Sequence, residues 1–197
     1  LEKEKLMAPL YAQRKQYFDE ATELADSAIK RFRGLLEITH KMHRVLLGGE
    51  GDAECTTNTE RFALLGSALK RKAIVMCHKD EQWQAIKEVL LESAEAYKEA
   101  EGVSFDYSFD PYASINHMQL SGVLGVKVEK AQQLIEKSQE SARRNFQRTL
   151  GFFPAVMVAD AEVAAYLLAP LTQEEDSEAI SSADEAARLV ECYEDAV

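Results

Sequence analysis

The sequence predicts an all-α fold of antiparallel helix pairs, and three observations carry that reading. Helix breakers are few, with 4 Pro and 9 Gly in 197 residues, while Ala, Glu, Leu, Lys and Arg abound. Apolar residues recur at helical spacing along most of the chain. No stretch shows the period-two alternation of a half-buried strand. After Asn58 the predicted helices arrive in pairs with short connections, and such pairs stack side by side.

Taken in order, residues from about Met7 to Leu47 read as one very long helix or two in series. Leu10, Tyr17 and Leu24 are spaced by seven, as are Ala21, Ala28, Leu35 and Met42, so two interleaved series form an apolar seam. Gly34 sits inside this segment and marks a candidate break, because Gly weakens a helix by about 1 kcal/mol relative to Ala. The run Gly48-Gly49-Glu50-Gly51-Asp52 ends the segment as a loop.

Asn58 or Thr59 caps the next helix, expected to reach about Lys79 with Phe62, Leu65, Leu69, Ala73 and Met76 on its apolar face. Asp80 is expected to cap a further helix through about Glu101, with Trp83, Ile86, Leu90, Ala94 and Tyr97 in register. The connection from Val103 to Asp110 is aromatic and apolar, and is expected to be packed. Pro111 suits the first turn of a helix reaching about Gly125. Further helices are expected over Lys127–Leu150 and Phe152–Ala169, the latter stopping before Pro170. Ser182 and Glu185 have capping-box spacing and open a last helix to Val197.

Bulk properties narrow the class of function. The net charge of −11 disfavours nucleic acid and anionic membrane as partners. The acidity is concentrated: residues from Gln173 onward carry −8, leaving −3 on the rest of the chain. The three cysteines, Cys55, Cys77 and Cys192, have no paired spacing, which points to reduced thiols and a cytoplasmic setting. No apolar run reads as long enough to span a bilayer. A start at Leu1 without a signal-like segment is read as a segment of a longer protein.

Two sets of residues carry a family resemblance. Leu65-Gly66 and Leu69, followed by Ser93, Tyr97 and Ala100, are similar to the small–aromatic–small contacts of tetratricopeptide repeats. Small residues let two helices approach closely and the aromatic ring fills the space between successive pairs. Asp110, Tyr112, Ile115, Asn116, Leu120, Leu124 and Gly125, with Phe152-Phe153 and Ala161-Glu162 further on, resemble the tetratricopeptide-like TRAFs-binding domain. That family occurs beside the kinase domain of apoptosis-signal-regulating kinases and in bacterial multidomain proteins. The resemblance covers residues 58–197. It implies a TPR-like α-solenoid over that range and a scaffold role; the long N-terminal helix or helix pair over residues 1–49, read from its spacing, precedes it and is not explained by the resemblance.

Catalytic and metal chemistry finds little purchase. Glu37-x-x-His40 has the spacing of a di-iron helix motif, and His40 and His43 share one helix face, but no second Glu-x-x-His follows. These histidines are read as structural, with no metal site and no cofactor. Cys77 and His78 are adjacent, so their side chains diverge by about 100° on a helix, and Cys77 is read as a small core residue. Asp52 and Glu54 oppose thiolate formation at Cys55. Gly48–Gly51 lacks the Lys-Ser/Thr of a phosphate loop. No catalytic residue is assigned. Lys70-Arg71-Lys72 and Arg143-Arg144 with Arg148 are basic clusters read mainly as solvated helix faces.

In stacked helix pairs the first helix of each pair lines a concave face. Ala63, Ser67, Lys70 and Arg71 then border the groove on one such helix, and Asn116 and Gln119 on another. An Asn or Gln there would hold a peptide backbone by donor and acceptor together, although Asn116 equally suits bracing its own loop. The resulting expectation is a non-catalytic module that binds a protein or peptide, or an adjacent domain of its own chain. Three other readings stand beside it: a regulatory segment of an enzyme whose catalytic domain lies elsewhere, a metal-dependent helical bundle using Glu37, His40 and His43, and a homo-oligomer through the 7–47 seam.

Overall fold

The computed structural model describes residues 2–46, 57–104, 109 and 111–172, and the side chains of these except residues 2–8, 43–46, 57–58, 102–104 and 172. The expected helix over 182–197 and most of the 103–110 connection lie outside the described residues. Every regular element among the described residues is a helix: α1 (Glu2–Leu46), α2 (Thr57–His78), α3 (Trp83–Ser104), α4 (Pro111–Leu124), α5 (Ala131–Thr149) and α6 (Phe152–Thr172). The chain divides into two units, Leu1–Ala96 and Tyr97–Val197.

In the first unit α1 is one helix of 45 residues, continuous through Gly34 and containing Pro9. Its packed face is a 3–4 stripe: Phe18, Thr22, Ala25, Ile29, Phe32, Leu36 and Thr39 are buried or half-buried. Ile29 and Leu36 form a core with Leu65, Ala68 and Leu69 of α2 and Ala96 of α3. Each fully buried Leu or Ile contributes about 1.5–3 kcal/mol over an exposed one. The seven-spaced seam read from the sequence lies mostly off this face: Leu10, Tyr17, Leu24, Leu35 and Met42 are exposed, while Ala21 and Ala28 are half-buried and Ala28 packs against the core.

Helices α1 and α2 run antiparallel. His40 lies beside Phe62, Lys72 pairs with Asp26 at 2.7 Å, Lys79 pairs with Asp19 at 2.9 Å, and His78 stacks on Phe18. The bond from Lys79 holds the Asp19 carboxyl below its ordinary range and raises the Lys79 ammonium above its own. Helix α3 is drawn to α2 by small residues: the buried Ser93 Oγ donates to the Gly66 carbonyl at 2.7 Å. Arg33 of α1 pairs with Glu92 of α3. Trp83, expected in the apolar register, is exposed at the start of α3, whereas Ala73, Met76 and Ile86, expected on the same faces, form a core cluster.

Asp80 closes α2 and does not cap α3. Its φ is 55°, its N–H donates to Cys77 O, and the Glu81 N–H donates to Met76 O, which is the paired bonding of a Schellman motif. Gln82 takes the start of α3, its carbonyl accepting from Ala85 and Ile86.

In the second unit α6 packs against both α4 and α5. Met118, Leu134, Ile135, Ala164 and Leu168 form the core. Gly122 is where α4 and α6 come closest: a Cβ there would stand 2.6 Å from Leu167 Cβ. Gly125 ends α4 at φ 68° with the same paired bonds as Asp80, from Gly125 N–H to Gly122 O and from Val126 N–H to Ser121 O. α5 begins at Ala131, four residues later than expected, after Lys130 in the left-handed region. α6 runs through Pro170, and its Phe152–Leu171 stretch, with mean hydropathy 1.6, is long and apolar enough to cross a membrane by length and composition. The expectation of no such run is corrected on that point. Asp160 and Glu162 sit near its centre and Arg143 pairs with Glu162 at 3.1 Å, which suits a helix inside a repeat stack.

Candidate functional site

The residues expected to line a groove divide into two groups. Ser67 is buried in α2, and Ala63 is half-buried. Asn116 is buried and its Nδ2 donates to Tyr112 O at 2.8 Å, one turn back on α4. Gln119 Nε2 donates to Asp160 O at 3.0 Å, tying α4 to α6. Both amides therefore brace helices. Lys70 is half-buried and Arg71 is exposed, so the cationic part of the expected surface stays at the face of α2.

Arg71 belongs to a stripe that the sequence reading passed over. Leu64, Arg71 and Ile74 lie on one side of α2, with spacings of seven and three, and all three are exposed. The opposite side carries Leu65, Leu69, Ala73 and Met76 into the core. The available signal was that α2 has apolar residues on both faces, which only a helix covered all round, or one keeping a partner surface, requires. Two large apolar side chains bracketing a guanidinium present an apolar surface for contact and a fork of donors for a carboxylate.

Most of the basic clusters are already engaged. Lys72 is held by Asp26, Arg143 by Glu162 and Arg144 by Glu140. Lys137 lies over the Phe109 ring at 4.4 Å. In the second unit, exposed apolar residues gather at the α5–α6 turn, where Phe152 and Phe153 form an edge-on pair beside Leu150.

At the metal candidate, Glu37 bonds Lys41 at 2.6 Å and the carboxyl is held below its ordinary range by that bond. His40 turns toward Phe62, and the His43 side chain lies outside the described residues. No group of three or more His, Cys, Asp and Glu able to hold a metal occurs among the described residues. Cys77 is exposed, which corrects its reading as a core residue.

Consecutive helices packed through small residues, with Ser93 against Gly66 in the first unit, define a tetratricopeptide-like helical repeat protein. The family model described as Tetratricopeptide Repeats-Sensor matches residues 3–121, and the chain belongs to that family. The match begins inside α1 and ends inside α4. Neither curated proteins nor solved structures give a match. Repeats of this class generally serve protein–protein interaction and are generally non-catalytic.

Proposed function

We propose that this chain is a non-catalytic protein-interaction module that takes a protein or peptide partner, or an adjacent domain of a longer parent chain, on the outer face of α2. The observation that carries the reading is the exposed Leu64–Arg71–Ile74 stripe on a helix whose other face fills the core. Its chemistry selects an amphipathic segment with an acidic residue among apolar ones. Lys70 borders the same surface, and the module works in the cytoplasm. The resemblance of 110–125 and 152–168 to the TRAFs-binding domain supports a second reading, in which the partner is a kinase- or protease-like catalytic domain that the module regulates.

A photo-reactive amino acid placed at Ile74 or Leu64 in cells tests this reading. A discrete protein adduct is expected from both positions and not from Glu88, an exposed position on α3. Adducts of equal yield from all three sites, or from Glu88 alone, would contradict it.

A further inference from the structure

Among the described residues, the longest series of exposed large apolar side chains is on α1, away from the stripe assigned to a partner. Leu10, Tyr17, Leu24, Leu35, Ile38 and Met42 are each 42–72% exposed. With Arg14, Ala21, Ala28 and Arg31 they complete an unbroken alternation of three- and four-residue steps from position 10 to 42. That is a coiled-coil seam about 48 Å long at 1.5 Å per residue. It lies about 100° around the helix from the stripe packed on α2, at 100° per residue. Asp26 and Arg33, which pair with Lys72 of α2 and Glu92 of α3, lie on the far side of that packed stripe. The six large apolar side chains of the seam therefore face away from both helices of their own unit, while half-buried Ala28 touches the edge of the core.

We infer that this seam joins two copies of the chain as an antiparallel pair of α1 helices. Six half- to three-quarter-exposed side chains from each copy bring roughly 1,200 Å² to the contact, the size of a specific interface. The side chains also choose the direction. A parallel, in-register pair would set Arg31 against Arg31 and Leu24 against Leu24. An antiparallel pair about a two-fold at Asp26 sets Leu10 against Met42, Tyr17 against Leu35 and Leu24 against Ala28 of the second copy. Large then meets small at the centre, and Arg31 meets Ala21 with the Glu20 carboxylate beside it. Arg14, the other charge in the seam, is turned toward α2, over the Phe18 ring and within 3.4 Å of the His78 carbonyl. A two-fold contact of this kind is closed and self-complementary.

Sedimentation of the 197-residue chain across a micromolar range tests this inference. The expected result is a reversible species of twice the 22.1 kDa chain mass. Leu24→Glu with Ile38→Glu is expected to give a monomer with unchanged helicity, since both positions are exposed in the chain. Tyr17→Lys, read separately, is expected to weaken the dimer by roughly tenfold or more. Arg31→Glu is expected to weaken it and Glu20→Lys in the same chain to restore it. A chain that stays monomeric throughout the range, or a dimer indifferent to all the seam variants, would overturn the inference. A dimer strengthened by Arg31→Glu, or one in which Glu20→Lys gives no rescue, would overturn the antiparallel arrangement.

Discussion

Two glycines on helices meet opposite surroundings. Nothing lies within 4 Å of a Cβ added at Gly34, whereas at Gly122 it would meet Leu167 Cβ at 2.6 Å. Gly34→Ala is therefore expected to stabilise the chain by about 0.5–1 kcal/mol, because alanine restricts the unfolded chain and costs the helix nothing. Gly122→Ala is expected to destabilise it by about 1–3 kcal/mol, since α6 must move away. Urea unfolding of the two variants measures both signs. The sequence marks Gly34 as a candidate break but does not separate a glycine in open space from one at a helix crossing, because the distinction lies in what stands opposite. The repeat contacts were more legible. Leu65, Gly66, Ser93, Tyr97 and Ala100 are all buried where their spacing placed them, since a small residue at a helix crossing follows from local pattern. The amides of Asn116 and Gln119 were harder to read, because a groove and a helix brace ask for the same side chain.

Among elements, α1 shows why periodicity identifies a helix without orienting it. It carries two apolar stripes with three- and four-residue steps, and the one conspicuous by its seven-residue spacing is the exposed one. The packed stripe uses Thr22, Ala25 and Thr39, whose weak hydrophobicity hides it in the sequence. Helix ends were displaced for a similar reason. Asp80 has the side chain of an N-cap but takes the left-handed conformation that closes α2, and Asp tolerates that region better than most residues. On α2 the core-facing side was read correctly. Leu65→Asp places an unpaired charge among Ile29, Leu36 and Leu69 and is expected to cost several kcal/mol. Circular dichroism is expected to show loss of cooperative melting for the first unit. A variant that keeps wild-type helicity and melting temperature would contradict the packing of α1 on α2.

For the molecule as a whole, the helical class followed from composition and the absence of strand patterning, and the family match from position 3 to 121 takes in much of α1, which the resemblance over 58–197 left unexplained. What the sequence could not supply was the separation of surfaces. One face of α2 fills a core while Leu64, Arg71 and Ile74 stay exposed on the other, and α1 holds a second set of exposed apolar side chains, to which the proposed self-association is assigned. A partner surface and a self-association surface on different helices would let a dimer present two copies of the same binding stripe, raising avidity without new contacts. The proposed function places the partner on the outer face of α2. Amide hydrogen exchange on the purified complex, with the covalent adduct captured through Ile74 used to identify the partner, tests it most directly. Added protection is predicted in peptides covering residues 60–78 relative to the chain alone, with exchange at the α5–α6 turn unchanged. Protection confined to the α5–α6 turn, with residues 60–78 exchanging as in the free chain, would contradict the account.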